Sequence, residues 1–151
     1  MSSFFFDHRD QGPPSDANLN ILAPTFDAAG QCNNGWVCEH RWKAIKNMVG
    51  FKNAVSGTVV EKWWDGWSQI GFARGSRGYF VLNSRDNGDG LSERLSTGLP
   101  AGTYCDVATG EKVGSTCTGK TVTVGSDGYA QFELERGSQE MFIAIHVNAK
   151  L

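Results

Sequence analysis

From Thr58 to the C-terminal residue, apolar and polar positions alternate with a period of two, in short runs separated by turn residues. That alternation predicts strands over residues 58–64, 68–74, 78–83, 91–97, 102–107, 120–124, 130–134 and 141–147. Between them stand Asp65-Gly66, Gly75-Ser76-Arg77-Gly78, Asp86-Asn87-Gly88-Asp89-Gly90, Pro100-Ala101-Gly102 and Asp127-Gly128, residue pairs and clusters whose backbone freedom suits tight reversals. Many short strands at close spacing predict a mainly β fold, an antiparallel Greek-key sandwich or barrel.

Upstream the period lengthens. Between Cys32 and Val55, the residues Trp42, Ile45 and Val49 recur at three and four positions with Met48 beside them, while Arg41, Lys43, Lys46 and Lys52 fall elsewhere. This spacing predicts a helix over about 38–52 with one apolar side. An isolated helix of that length is marginal in water, so its stripe calls for a partner surface that the neighbouring sequence does not supply. Residues 7–35 are rich in Gly, Pro, Asp and Asn and predict a long irregular connection. Met1–Phe6 reads as the end of a buried strand. The change of period divides the chain near Ser56-Gly57, into residues 1–56 and 57–151.

Composition narrows the classes. The 151 residues are enough for one good core, 40% are hydrophobic and 20% charged, and the formal net charge of −2 advertises neither a nucleic-acid nor an anionic-membrane partner. No apolar run approaches the roughly 18 residues of a membrane span, and the short Phe4-Phe5-Phe6 run is followed too soon by acid to serve as a signal peptide.

Four cysteines fall as two local pairs, Cys32 with Cys38 and Cys105 with Cys117. Neither spacing is that of a zinc site or a redox C-x-x-C, so two local disulfides are expected, and with them an oxidising compartment. The first would pin the entrance of the helix.

Side chains able to carry chemistry are few. Glu39 and Glu61 are acids with apolar neighbours, but Glu39 falls in the first turn of the helix, where a carboxylate suits the dipole for structural reasons. Asp86–Gly90 lacks the acid spacing and closing Glu of a calcium loop, and a hairpin turn accounts for it better. His8, His40 and His146 are scattered, without a paired nucleophile. Arg74 and Arg77 flank a turn, as solvated charges do. Trp63, Trp64 and Trp67 are three indoles within five residues, a composition that would suit a sugar-stacking platform. On a strand Trp63 and Trp64 face opposite sides, so at most one joins Trp67 on a surface, and core or interface packing is the favoured role.

The stretch WVCEHRW (Trp36–Trp42), followed by Ile45, Asn47-Met48-Val49, Phe51 and Asn53, closely resembles the last barrel helix of animal-type α-amylases, glycoside hydrolase family thirteen. TGLPAGTYCDV (Thr97–Val107), CTGK (Cys117–Lys120) and FIAIH (Phe142–His146) resemble that family's C-terminal sheet domain in the same order, so the likeness covers roughly residues 32–151. The resemblance implies that residues 1–56 are the end of a catalytic (β/α)8 barrel, with Met1-Ser2-Ser3 in its last strand, and that 57–151 form the C-terminal β domain. It implies a secreted parent that cleaves α-1,4-glucans of starch or glycogen by a retaining mechanism. Its catalytic carboxylates and its calcium and chloride ligands would lie upstream of Met1. On that reading this chain holds no catalytic, cofactor or metal residue and has the barrel as its partner. The alternative is a carbohydrate-binding module that holds starch through surface tryptophans.

Overall fold

In a computed structural model, which describes residues 12–84, 89–138 and 140–151, the chain divides into two compact units, Met1–Lys46 and Asn47–Leu151. The strand end expected at Met1–Phe6, the residue His8 and most of the turn expected at Asp86–Gly90 lie outside the described residues.

The first unit is held by local turns. Oδ1 of Asp16 accepts the amides of Asn18 and Asn20, and Oδ1 of Asp27 those of Ala29 and Gln31, in loops closed by an acid side chain. The Asn20 side-chain amide, which donates to Oδ2 of Asp16, and then these backbone bonds hold the Asp16 carboxyl below its usual range. A short antiparallel pair, β1 (Thr25–Phe26) and β2 (Cys32–Asn33), lies in the stretch expected to be irregular. Two residues per strand are too few for periodicity to reveal. The Trp36 indole is buried and donates to the Leu22 carbonyl at 2.8 Å. Arg41 lies over the Phe26 ring and donates to the Gly30 carbonyl. Cys32 is bonded to Cys38.

The predicted helix forms in two pieces, a 3-10 turn at Glu39–Arg41 and α1 at Lys43–Ala54. Between them Trp42 leaves helical geometry, with ψ at 136°. Trp42, Ile45 and Val49 are 49%, 41% and 60% exposed, so the stripe seen in the sequence is not the side that packs. Within the second unit Phe51, Ala54 and the following Val55 are buried, with Met48 beside them. Gly78 makes this possible: a Cβ there would lie 2.5 Å from Val55 Cγ1.

Two four-stranded antiparallel sheets make up most of the second unit. One runs in the order β12-β5-β4-β3, where β3 is Val60–Gly66, β4 Gln69–Arg74, β5 Gly78–Asn83 and β12 Phe142–His146. The other runs β6-β11-β10-β7, with β6 Leu91–Ser96, β7 Gly102–Cys105, β10 Thr121–Val124 and β11 Tyr129–Leu134. Strands β7, β10 and β11 follow in order and β6 lies beside the last of them, which is Greek-key connectivity. Each predicted strand is present, within about two residues at its ends. A small ribbon, β8 (Lys112–Val113) and β9 (Thr116–Cys117), was not legible, again because its strands are so short.

The core lies between the sheets. Tyr79, Val81, Phe132, Leu134, Ile143 and Ile145 meet there, with Tyr79 and Phe132 stacked at 5.1 Å. Alternation sends Tyr79 and Val81 inward and their neighbour Phe80 to the outer face of its sheet. The Cys105–Cys117 disulfide ties the end of β7 to β9.

Candidate functional site

The three tryptophans sit on the β3–β4 hairpin, and a bulge decides where each points. Pairing runs Glu61 with Ala73 and then Trp64 with Gly71, which leaves Lys62 and Trp63 opposite Phe72 alone. Lys62 takes a positive φ of 49° to accommodate the extra residue. The bulge also moves the reversal: Asp65 and Gly66 are paired within the strand, and the turn falls on Trp67-Ser68 instead of the expected Asp65-Gly66.

Trp64 packs inward against the core cluster, beside Gly71, whose lack of a side chain makes room for the Tyr79 hydroxyl and Leu95. Trp63 goes the other way. Its ring is 57% exposed and lies nearly parallel to Phe72, centroids 5.7 Å apart, while its indole N–H donates to Asp65 at 3.2 Å. Trp67, at the tip, is 84% exposed.

Phe72 is the second ring of a row. Phe72 contacts Phe80 at 5.4 Å, Phe80 stacks on Phe142 at 5.6 Å, and Phe51 of α1 meets Phe80 at 6.4 Å. One aromatic from each of β3, β4, β5 and β12 therefore crosses the outer face of this sheet, with α1 over one end and Trp63 at the other. An antiparallel sheet that faced only water would carry polar residues there. Phe72, Phe80 and Phe142 were missed as a site in the sequence, although apolar residues on both faces of β4 and β5 are its signal.

The remaining candidates are placed structurally. Glu39 opens the 3-10 turn of the first unit and Glu61 lies on β3 of the second. Arg74 donates to the Thr58 carbonyl at 2.8 Å, and the carbonyl of Arg77 accepts from Val147. His40 is in the 3-10 turn, while His146 is buried at the end of β12, where loss of hydration lowers its pKa. Among the described residues no group of three or more His, Cys, Asp or Glu side chains could hold a metal ion. No helix among them is long and apolar enough to cross a membrane.

One buried acid had no signal in the sequence. Asp106 accepts from the amides of Ala108 and Ala144 through Oδ1, at 3.1 and 2.9 Å, and from the Thr109 hydroxyl through Oδ2 at 3.0 Å. Burial pushes its carboxyl up, against the pull of these bonds and of nearby Lys120. It pins the loop after β7 to the free edge of β12, a structural post with both carboxyl oxygens engaged by hydrogen bonds.

The chain is similar to animal α-amylases throughout its length. It is 53% identical to the α-amylase of Tribolium castaneum and 52% identical to that of Tenebrio molitor, over all of this chain but only 30% and 32% of those proteins. An α-amylase-related protein of Drosophila willistoni is 51% identical, again over all of this chain and 30% of its own length. The chain thus spans about a third of the length of these relatives. Among solved structures, α-amylase I of Eisenia fetida superposes with a TM-score of 0.76 at 35% identity, covering 97% of this chain and 31% of that one. Its E249Q variant, solved as a maltohexaose complex, gives 0.71 at 38% identity with the same coverage. Residues 63–148, essentially the two sheets, match the family model for the alpha amylase C-terminal all-beta domain. The chain belongs to that family, the C-terminal all-β domain of α-amylases.

Proposed function

We propose that the chain is a non-catalytic bracing portion of a secreted α-amylase-type hydrolase of α-1,4-glucans, and that its partner is the catalytic barrel of that enzyme. The observation that carries this reading is the aromatic row Trp63-Phe72-Phe80-Phe142 on the outer face of the β12-β5-β4-β3 sheet. Helix α1 covers one end of the row, and the exposed end is suited to cover by more of the same kind of structure. A buried aromatic pair adds about 0.5–1.5 kcal/mol beyond its area, so such a row rewards a close-packed partner. The relatives being about three times longer supports the existence of that partner. In this reading residues 1–56 belong with the barrel and 57–151 are the brace. The calcium and chloride that the family resemblance implies belong to the catalytic part, and the two disulfides suit an extracellular setting.

The test is association of the 151-residue chain with the complementary N-terminal part of the Tribolium castaneum α-amylase. The wild-type chain should bind it, and Trp63→Asp should weaken binding at least tenfold. Equal binding by both chains would refute the assignment of this face.

A second reading, a carbohydrate-binding module, rests on the same indole. Trp63 is held flat on Phe72 with its N–H fixed by Asp65, and Trp67 stands exposed nearby in sequence. Trp64, turned inward, takes no part. Retention of residues 57–151 on starch granules, abolished by Trp63→Ala or Trp67→Ala, would favour this reading.

A further inference from the structure

Strands β10 and β11 are joined by a tight turn, yet they pair only at Val124 and Ala130. Their outer partners hold them apart: β11 pairs with β6 over six residues and β10 with β7 over four. The start of β10 is drawn further toward β7, because the Lys120 carbonyl accepts from the Asp106 amide and the Lys120 amide donates to the Thr109 hydroxyl. Beside this gap lies a slot of 480 Å³, within the roughly 300–1,000 Å³ typical of small-ligand sites.

The lining has a definite chemistry. Val122, Leu134 and Ile143 supply apolar wall. Thr121 supplies a hydroxyl and Gln131 lines the wall with its Nε2 donating to the Ser92 hydroxyl of β6, and where the ladder stops the strands turn backbone N–H and C=O groups toward the gap. On the facing sheet the amide and carbonyl of Ala144 turn to the free edge of β12, so those of Phe142, two residues back, do the same. Glu133, Glu135 and Glu140 stand exposed at the rim with Lys120.

These features select among ligands. The carboxylates at the rim disfavour an anion. A bound cation would need a free carboxylate inside, and the one buried there, Asp106, already accepts three hydrogen bonds. Donors and acceptors interleaved over apolar wall suit a molecule carrying hydroxyls on a ring. We propose that the slot between β10 and β11 is a binding site for a neutral polyhydroxylated ligand of about disaccharide size. This goes beyond the bracing role and does not depend on it; only the choice of maltose as first probe rests on that reading.

The full 151-residue chain, isotopically labelled, is titrated with maltose and cellobiose to about 10 mM, in the range where weak sites saturate, with sorbitol as an acyclic control. Saturable amide shifts centred on Thr121, Val122, Gln131, Glu133 and Phe142 with either disaccharide are expected. Thr121→Trp, which fills the slot, should weaken binding at least tenfold while the spectrum stays dispersed. Glu133→Gln, which removes only charge, should change affinity less than about threefold, and Trp63→Ala with Trp67→Ala should leave the slot shifts in place. Three results would overturn the proposal: no saturable shift at these amides, shifts confined to Trp63 and Trp67, or saturation by spermidine that Glu133→Gln removes. A cellobiose response without a maltose response would still uphold the slot while speaking against an α-glucan as its ligand.

Discussion

The His146 imidazole meets the ring of Phe51 edge-on, centroids 6.0 Å apart, so the last strand and helix α1 share one buried aromatic contact. Nδ1 of this histidine has no hydrogen-bond partner among the described residues, and burial lowers its pKa from 6.5. A lowered pKa means that the unfolded chain takes up the proton first. Stability from this site is therefore fully present above pH 6.5 and falls as the pH drops through and below that value. Urea midpoints measured between pH 7.5 and 5 should decline, and His146→Phe should flatten the decline. Asp106 works in the opposite sense at lower pH, since a raised carboxyl pKa favours the folded state as acid is added. A curve unchanged by His146→Phe would show that the contact does not couple to protonation.

Tyr79 presents a second buried group without a partner. Its hydroxyl has no hydrogen bond among the described residues, faces the Gly71 backbone, and has its pKa pushed up to about 12 by burial. Leaving a buried hydroxyl unpaired costs about 1–3 kcal/mol, so Tyr79→Phe should leave stability unchanged or raise it by about 1 kcal/mol. A loss of more than about 1 kcal/mol in chemical denaturation would mean that the hydroxyl has a partner, such as a bound water.

The close approach of α1 to β5 makes Gly78 sensitive. A methyl there would lie 2.5 Å from Val55 Cγ1 and 3.0 Å from Phe51. Gly78→Ala should cost about 1–3 kcal/mol by overpacking. It should also speed amide exchange in the last turns of α1 more than in β11.

The disulfide between Cys105 and Cys117 closes a loop with a sequence separation of 12. On the chain-entropy model such a loop stabilises by about 3 kcal/mol. Replacing both cysteines by alanine should lower the unfolding free energy by about that amount and loosen the β8–β9 ribbon first. The Cys32–Cys38 bridge closes a shorter loop, and its removal should cost less.

What the sequence revealed follows the strength of its periodic signals. The strands Thr121–Val124 and Tyr129–Leu134 could be read from alternation alone, because one face of each is buried and a slip of one residue would expose it. The bulge at Lys62–Trp63 could not, and it moved the hairpin turn to Trp67-Ser68. The helix was legible as a helix, and its apolar stripe, for which the neighbouring sequence offers no partner, is indeed exposed; the side that packs on the sheet was not legible. Trp42, Ile45 and Val49 make the stronger apolar stripe, while contact with the sheet is made by Phe51 and Val55, whose partner Gly78 lies far away in sequence. Asp106 fell inside the predicted strand 102–107 with nothing to mark it, since burial against Ala144 is a property of the tertiary fold. The slot between β10 and β11 was invisible for the same reason: sequence predicts a hairpin, and only the competing pull of β6 and β7 opens it.

The bracing account is tested most directly by assaying starch hydrolysis with the purified 151-residue chain, with the complementary N-terminal part of the Tribolium castaneum α-amylase, and with the two combined. The account predicts no release of reducing ends by the chain alone, and activity from the N-terminal part that rises when the chain is added and rises less with Trp63→Asp. Sustained hydrolysis by the chain alone, or activity of the N-terminal part indifferent to its presence, would contradict it.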